Sequence, residues 1–170
     1  HEGKEYRWSP AHLQPLLEFL PAGQPLAIFG RGPVWLYAAL AAHAHPAPFW
    51  LFDARLGWVT PLNLPTGEMP PAAPLQIEMH TQPDHVRLGF RLRSAHLEYE
   101  EARDWRIPFI VPSHGVILSG KLPNWLWTSL TLAYRHLAWV AVYQPPLNDA
   151  VVVVRRGANA LPIGTLRPLA

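Results

Sequence analysis

Two short loops carry the residues best suited to chemistry. Gly30-Arg31-Gly32-Pro33-Val34-Trp35-Leu36 follows the apolar run Leu26-Ala27-Ile28-Phe29, and the pattern returns as Gly120-Lys121-Leu122-Pro123-Asn124-Trp125-Leu126 behind Val116-Ile117-Leu118. Glycine lets the backbone turn sharply or approach a ligand closely. A proline two or three residues later suits the first turn of a helix, where its missing N–H removes a donor that would have no partner. Free N–H groups at such a helix start, together with Arg31 or Lys121, suit a phosphate or another anion. A solvated basic turn is the plainer alternative for either loop taken alone.

The elements needed to hold these loops are legible around them. Leu13, Leu16, Leu17 and Leu20 fall at helical spacing after Ser9-Pro10, and Pro21-Ala22-Gly23 stops that helix. From Val34 to about Ala44 the stripe Leu36, Leu40 and His43 predicts an amphipathic helix. His45-Pro46-Ala47-Pro48 ends it. Phe49-Trp50-Leu51-Phe52 then reads as a buried strand with Asp53-Ala54-Arg55-Leu56-Gly57 at its carboxyl end. In a strand-helix-strand unit ligands collect at the carboxyl ends of parallel strands, so the basic loop, Asp53 and Arg55 are expected on one rim.

Residues 61–75 are proline-rich and read as a linker. Leu75 to Met79 and His85 to Leu92 read as strands around a turn at Gln82-Pro83-Asp84. Glu98 to Arg103 reads as a solvated turn or short helix. A helix from about Asn124 to His136 carries Leu126, Leu130, Ala133 and Leu137 on one stripe. Trp139 to Tyr143 and Val151 to Val154 are further strands, and 157–170 has no assignment. The expected fold is α/β, two tandem strand-loop-helix-strand units at 1–60 and 76–170.

Composition narrows the function. A chain of 170 residues with 49% hydrophobic content can bury one good core or two small ones packed together. A net charge of +2 argues against general nucleic-acid binding, and 12 of the 14 basic residues are arginine, the better side chain for forked phosphate contacts. The absence of cysteine excludes disulfides and thiolate metal sites. No apolar run approaches a membrane span, so a cytoplasmic location is expected.

The string Gly-Arg-Gly-Pro-Val-Trp-Leu, its helix with a histidine-rich end, and Asp-Ala-Arg-Leu-Gly after the strand resemble the central segment of the Csx-three family of CRISPR-associated proteins. Residues 107–154, with Ser-Gly-Lys-Leu-Pro-Asn-Trp-Leu and Val-Ala-Val-Tyr, resemble a second copy. The resemblance implies a CARF-like fold, a dimeric arrangement, and a ring nuclease that cuts cyclic tetra-adenylate with manganese. It implies catalytic roles for His45, Asp53 and Arg55. Asp53 with His45 or His43 would hold the metal. Gly30, Arg31, Gly32, Pro33, Gly120, Lys121, Asn124 and His136 would bind the ligand.

The second copy departs from this pattern, with Gln144 and Pro146 where the first has Asp53 and Arg55. The reading is therefore an intramolecular pseudo-dimer with one better-equipped half, its further stacking around a ligand left open. Trp35 and Trp125 are core residues or, alternatively, platforms for adenine. A cyclic oligoadenylate sensor or sponge without turnover, and a metal-dependent exonuclease on short RNA, stay open as alternatives. No DNA or membrane partner is expected.

Overall fold

A computed structural model describes residues 7–157 and 160–169. Helix α1 (Leu13–Phe19) follows a 3-10 turn at Pro10–His12, whose first N–H groups are partly satisfied by the Ser9 hydroxyl. β1 (Leu26–Ile28) leads through the first Gly-Pro loop into α2 (Val34–Ala44). β2 (Phe49–Asp53) runs parallel to β1, and β3 (Gly57–Val59) returns antiparallel to β2. These three strands form the smaller sheet.

The larger sheet has six strands in chain order: β4 (Leu75–Thr81), β5 (His85–Leu92), β6 (Gly115–Gly120), β7 (Trp139–Gln144), β8 (Asp149–Arg155) and β9 (Leu166–Arg167). Its central strands β5, β6 and β7 are parallel, with antiparallel neighbours outside them. Helix α3 (Asn124–Ala133) connects β6 to β7. The protein is thus mixed α/β with two sheets and few helices. The unit β1-loop-α2-β2 returns as β6-loop-α3-β7. The resemblance extends to the turn after the second strand, where Gly57 and Asn148 both have positive φ, 79° and 52°.

Helix α2 is not amphipathic. Every residue from Trp35 to Ala41 is buried, because α2 packs on α3 and against β7 and β8 as well as its own β1 and β2. An apolar helix without a polar face belongs in such a position, and Ala38, Ala39 and Ala41 add little bulk between the layers. α3 stops at Ala133, three residues short of the expected His136, and Tyr134 to His136 form the turn into β7.

Residues 61–75 are not a loose linker. Leu62 and Leu64 are buried in the core, the Leu62 N–H donates to the buried Ser129 hydroxyl on α3 at 2.8 Å, and Thr66 pairs with Ile107 in an isolated bridge. The tail, left unassigned by its sequence, forms β9 on the sheet edge. Leu161 and Leu169 pack over Ile117, Trp139, Ala141, Ala150 and Val152. Among the described residues no helix is long and apolar enough to cross a membrane.

Candidate functional site

An open cavity of about 580 Å³ lies where the two units meet, within the size range of small-ligand sites. The first unit contributes Asp53, Arg55 and Leu56 from the turn between β2 and β3. The second contributes Lys121, Leu122 and Trp125 from its Gly-Pro loop and the start of α3. The end of β5 and the loop after it add Arg91, Ser94, Leu97 and Glu98. Three cations and two carboxylates therefore line the cavity together with the apolar Leu92, Leu97, Leu122 and Trp125.

The first turn is held by its own aspartate. Asp53 Oδ1 accepts the backbone N–H groups of Arg55 at 2.8 Å and Leu56 at 3.0 Å, an Asx-type turn that fixes the carboxylate and the Arg55 backbone on the rim. Oδ2 accepts no hydrogen bond among the described residues. On the opposite wall, β5 runs so close to the second loop that a Cβ on Gly120 would lie 2.4 Å from the Phe90 carbonyl oxygen. This contact sets Arg91 beside Lys121. Arg91, Ser94 and Glu98 were missed in the sequence, although residues just past the carboxyl end of a parallel strand are where such a rim is built.

The histidines lie elsewhere. His45 follows the carboxyl end of α2, at the end of the unit where β2 begins, whereas Asp53 closes β2. The length of β2, about 13 Å at 3.3 Å per residue, separates them. A metal ion with ligand bonds of about 2 Å cannot take both from one chain. His43 does not replace His45, because its Nε2 hydrogen-bonds the Leu20 carbonyl oxygen at 2.7 Å and ties α2 to α1. Among the described residues no three His, Asp or Glu side chains are grouped to hold a metal. Asp53, His45 and His43 thus do not come together as a manganese site within a single chain.

His45 has neighbours of its own. Partial burial, then the Arg135 guanidinium across from it, pull its pKa below the ordinary histidine range. His136 is exposed beside Arg135, and its carbonyl accepts from Arg156 at 3.3 Å. His136 is therefore at the histidine end too, and is no part of the cavity that Lys121 lines.

Arg31 and Lys121 are not brought into one cavity. Arg31, with Gly30 and Gly32, lines a separate groove of about 260 Å³ whose walls are Trp8, Leu16, Leu20 and Leu36. Tyr37 secures that loop by donating its hydroxyl to the Gly30 carbonyl at 2.5 Å, and burial pushes the hydroxyl's pKa up. Pro33 and Pro123 occupy the N-cap positions of α2 and α3 in nearly identical conformations, and Asn124 opens α3 without lining the cavity. Trp35 and Trp125 are 1% and 2% exposed, which makes them core residues and not base platforms. Gln144 stands where Asp53 stands in the first unit, and its Oε1 is buried without a partner among the described residues.

The division of the chain into two related units agrees with the comparison to known families. The family model described as CRISPR-associated protein (Cas_csx3) matches residues 2–60 and 91–165. The chain belongs to this Csx-three family, in two tandem parts. The unmatched stretch between them covers residues 61–75, β4 and most of β5. All the charged residues of the cavity fall inside the matched parts.

Proposed function

We propose that the two units form a CARF-like intramolecular pseudo-dimer that binds a cyclic oligoadenylate, cyclic tetra-adenylate in the first instance, and opens it. The observation that carries this reading is the cavity joining Asp53 and Arg55 of one unit to Arg91 and Lys121 of the other. Arginine and lysine around an open, partly apolar cavity suit phosphates flanked by bases. In the reaction the ligand's own ribose 2′-hydroxyl attacks the adjacent phosphorus and the 5′-oxygen leaves. Arg55, Arg91 and Lys121 hold the charge that gathers on the phosphoryl oxygens. Asp53, through the carboxylate oxygen its turn leaves free, orients the attacking hydroxyl.

His45 enters from outside the chain. Because it sits at the opposite end from Asp53, head-to-tail stacking on the ligand presents His45 of one copy to the cavity of the next, where a neutral imidazole can take the proton of the attacking 2′-hydroxyl and return it to the leaving 5′-oxygen. No step requires a metal. A sponge that binds without turnover is the second reading, favoured by that same separation of His45 from Asp53.

The test follows labelled cyclic tetra-adenylate, with manganese or with chelator, for wild type, Asp53→Asn, His45→Ala and an equal mixture of the two variants. Asp53→Asn keeps an oxygen for the turn and is expected to lose at least tenfold in turnover with little loss of stability. Recovery of linear product in the mixture supports a site shared between copies. Tight binding without product in any protein supports the sponge, and absence of binding sinks both readings.

A further inference from the structure

The outer face of the smaller sheet carries three large rings in the open. Phe29 is 73% exposed, Trp58 52% and Phe52 40%. Their centroids lie 5.0 Å apart for Phe29 and Phe52, 5.6 Å for Phe52 and Trp58, and 6.4 Å for Phe29 and Trp58. On the larger sheet, Leu161 and Leu169 from the chain's own tail cover an apolar patch; nothing among the described residues covers the rings. Solvated clusters of this kind mark interaction surfaces.

The surroundings select the partner. Arg31 follows Phe29 by two residues, and Arg55 lies on the turn between Phe52 and Trp58; both are exposed, and neither forms an ion pair among the described residues. The sole carboxylate within this turn, Asp53, is engaged with backbone N–H groups. Aromatic faces interleaved with free arginines are the surface that single-stranded nucleic acid takes, bases on rings and phosphates on guanidinium groups. The rings do not line the cavity, but Asp53, Arg55 and Leu56, between Phe52 and Trp58 in the chain, do. A ring closed on itself has no end to extend past Arg55; an opened strand does.

We infer that Phe29, Phe52 and Trp58 form a stacking platform for the bases of a linear oligoadenylate, with its phosphates on Arg31 and Arg55. This rests on the cavity being a nucleotide site. The experiment measures binding of fluorescent linear hexa-adenylate, and of an abasic ribose-phosphate hexamer, at fixed salt. It compares wild type, the triple variant Phe29→Leu/Phe52→Leu/Trp58→Leu, and Arg91→Ala/Lys121→Ala. Leucine keeps the surface apolar and removes the π-faces, and Trp58→Leu alone serves if the triple variant misfolds. The expected result is a loss on the order of tenfold per ring for hexa-adenylate and none for the abasic strand. Equal affinity of wild type and ring variants for hexa-adenylate overturns the platform. So does a ligand-free dimer, seen by sedimentation, that the ring variants dissociate without changing adenylate affinity. If cyclic tetra-adenylate binding falls in Arg91→Ala/Lys121→Ala while the ring variants change nothing, the platform fails alone and the cavity reading stands.

Discussion

His45 illustrates how a residue of the right type can be placed by a fold in an unexpected position. In the sequence it precedes Asp53 by eight residues, a spacing that suggests one site; the parallel strand between them instead carries them to opposite ends. Its environment yields a direct check. Partial burial and the positive charge of Arg135 both oppose protonation, so Arg135→Ala is expected to raise the His45 pKa toward the ordinary value, read by NMR titration of the ring protons. The linkage has a definite sign. Folded His45 takes up a proton less readily than an unfolded histidine, so stability is unaffected well above pH 6.5 and declines as pH falls below about that value. Asp84 acts in the same direction at lower pH. Its hydrogen bond with His85 at 2.6 Å holds its pKa down, and the stability this gives is present above about pH 3.9 and lost as pH falls through the depressed value.

Among the elements, the repeated loop was the most legible part of the chain, because Gly, Pro and an apolar run each act locally. Both loops adopt the expected strand-turn-helix form, and Gly30 and Gly120 have φ of 129° and 144°, conformations that side chains resist. What surrounds each loop was not legible, since it depends on which strand lies alongside. Gly120 has β5 against it, whereas a Cβ on Gly30 would meet nothing within 4 Å. Both alanine substitutions should therefore cost about 1–3 kcal/mol from backbone strain. Gly120→Ala should cost about 1–3 kcal/mol more from overpacking against Phe90, a difference measurable by urea unfolding. The same dependence on neighbours explains why Arg91 and Glu98 escaped notice. It also explains why the helical stripe of α2, drawn for one sheet, did not foresee a second.

At the scale of the whole molecule, the α/β class and the division into two related units could be read from the repeat, but their degree of integration could not. The chain between the units is pinned to α3 by the bond from the Leu62 N–H to Ser129, which also donates to the Trp125 carbonyl at 2.6 Å. With α2 buried against both units, unfolding by urea is expected to follow one cooperative transition, coincident by near-UV and far-UV circular dichroism. Ser129→Ala leaves the buried Leu62 N–H without its partner and should lower that stability by about 1–3 kcal/mol. Two separated transitions would mean that the units fold independently.

The cavity takes its walls from both units, and both units are on one chain. Paired subunits dissociate on dilution, and the fraction of sites assembled between them falls with their concentration. Here the chain between the units is packed into their shared core and keeps each beside the other at any dilution. A cell holding a handful of these molecules has the same fraction of assembled cavities as one holding thousands.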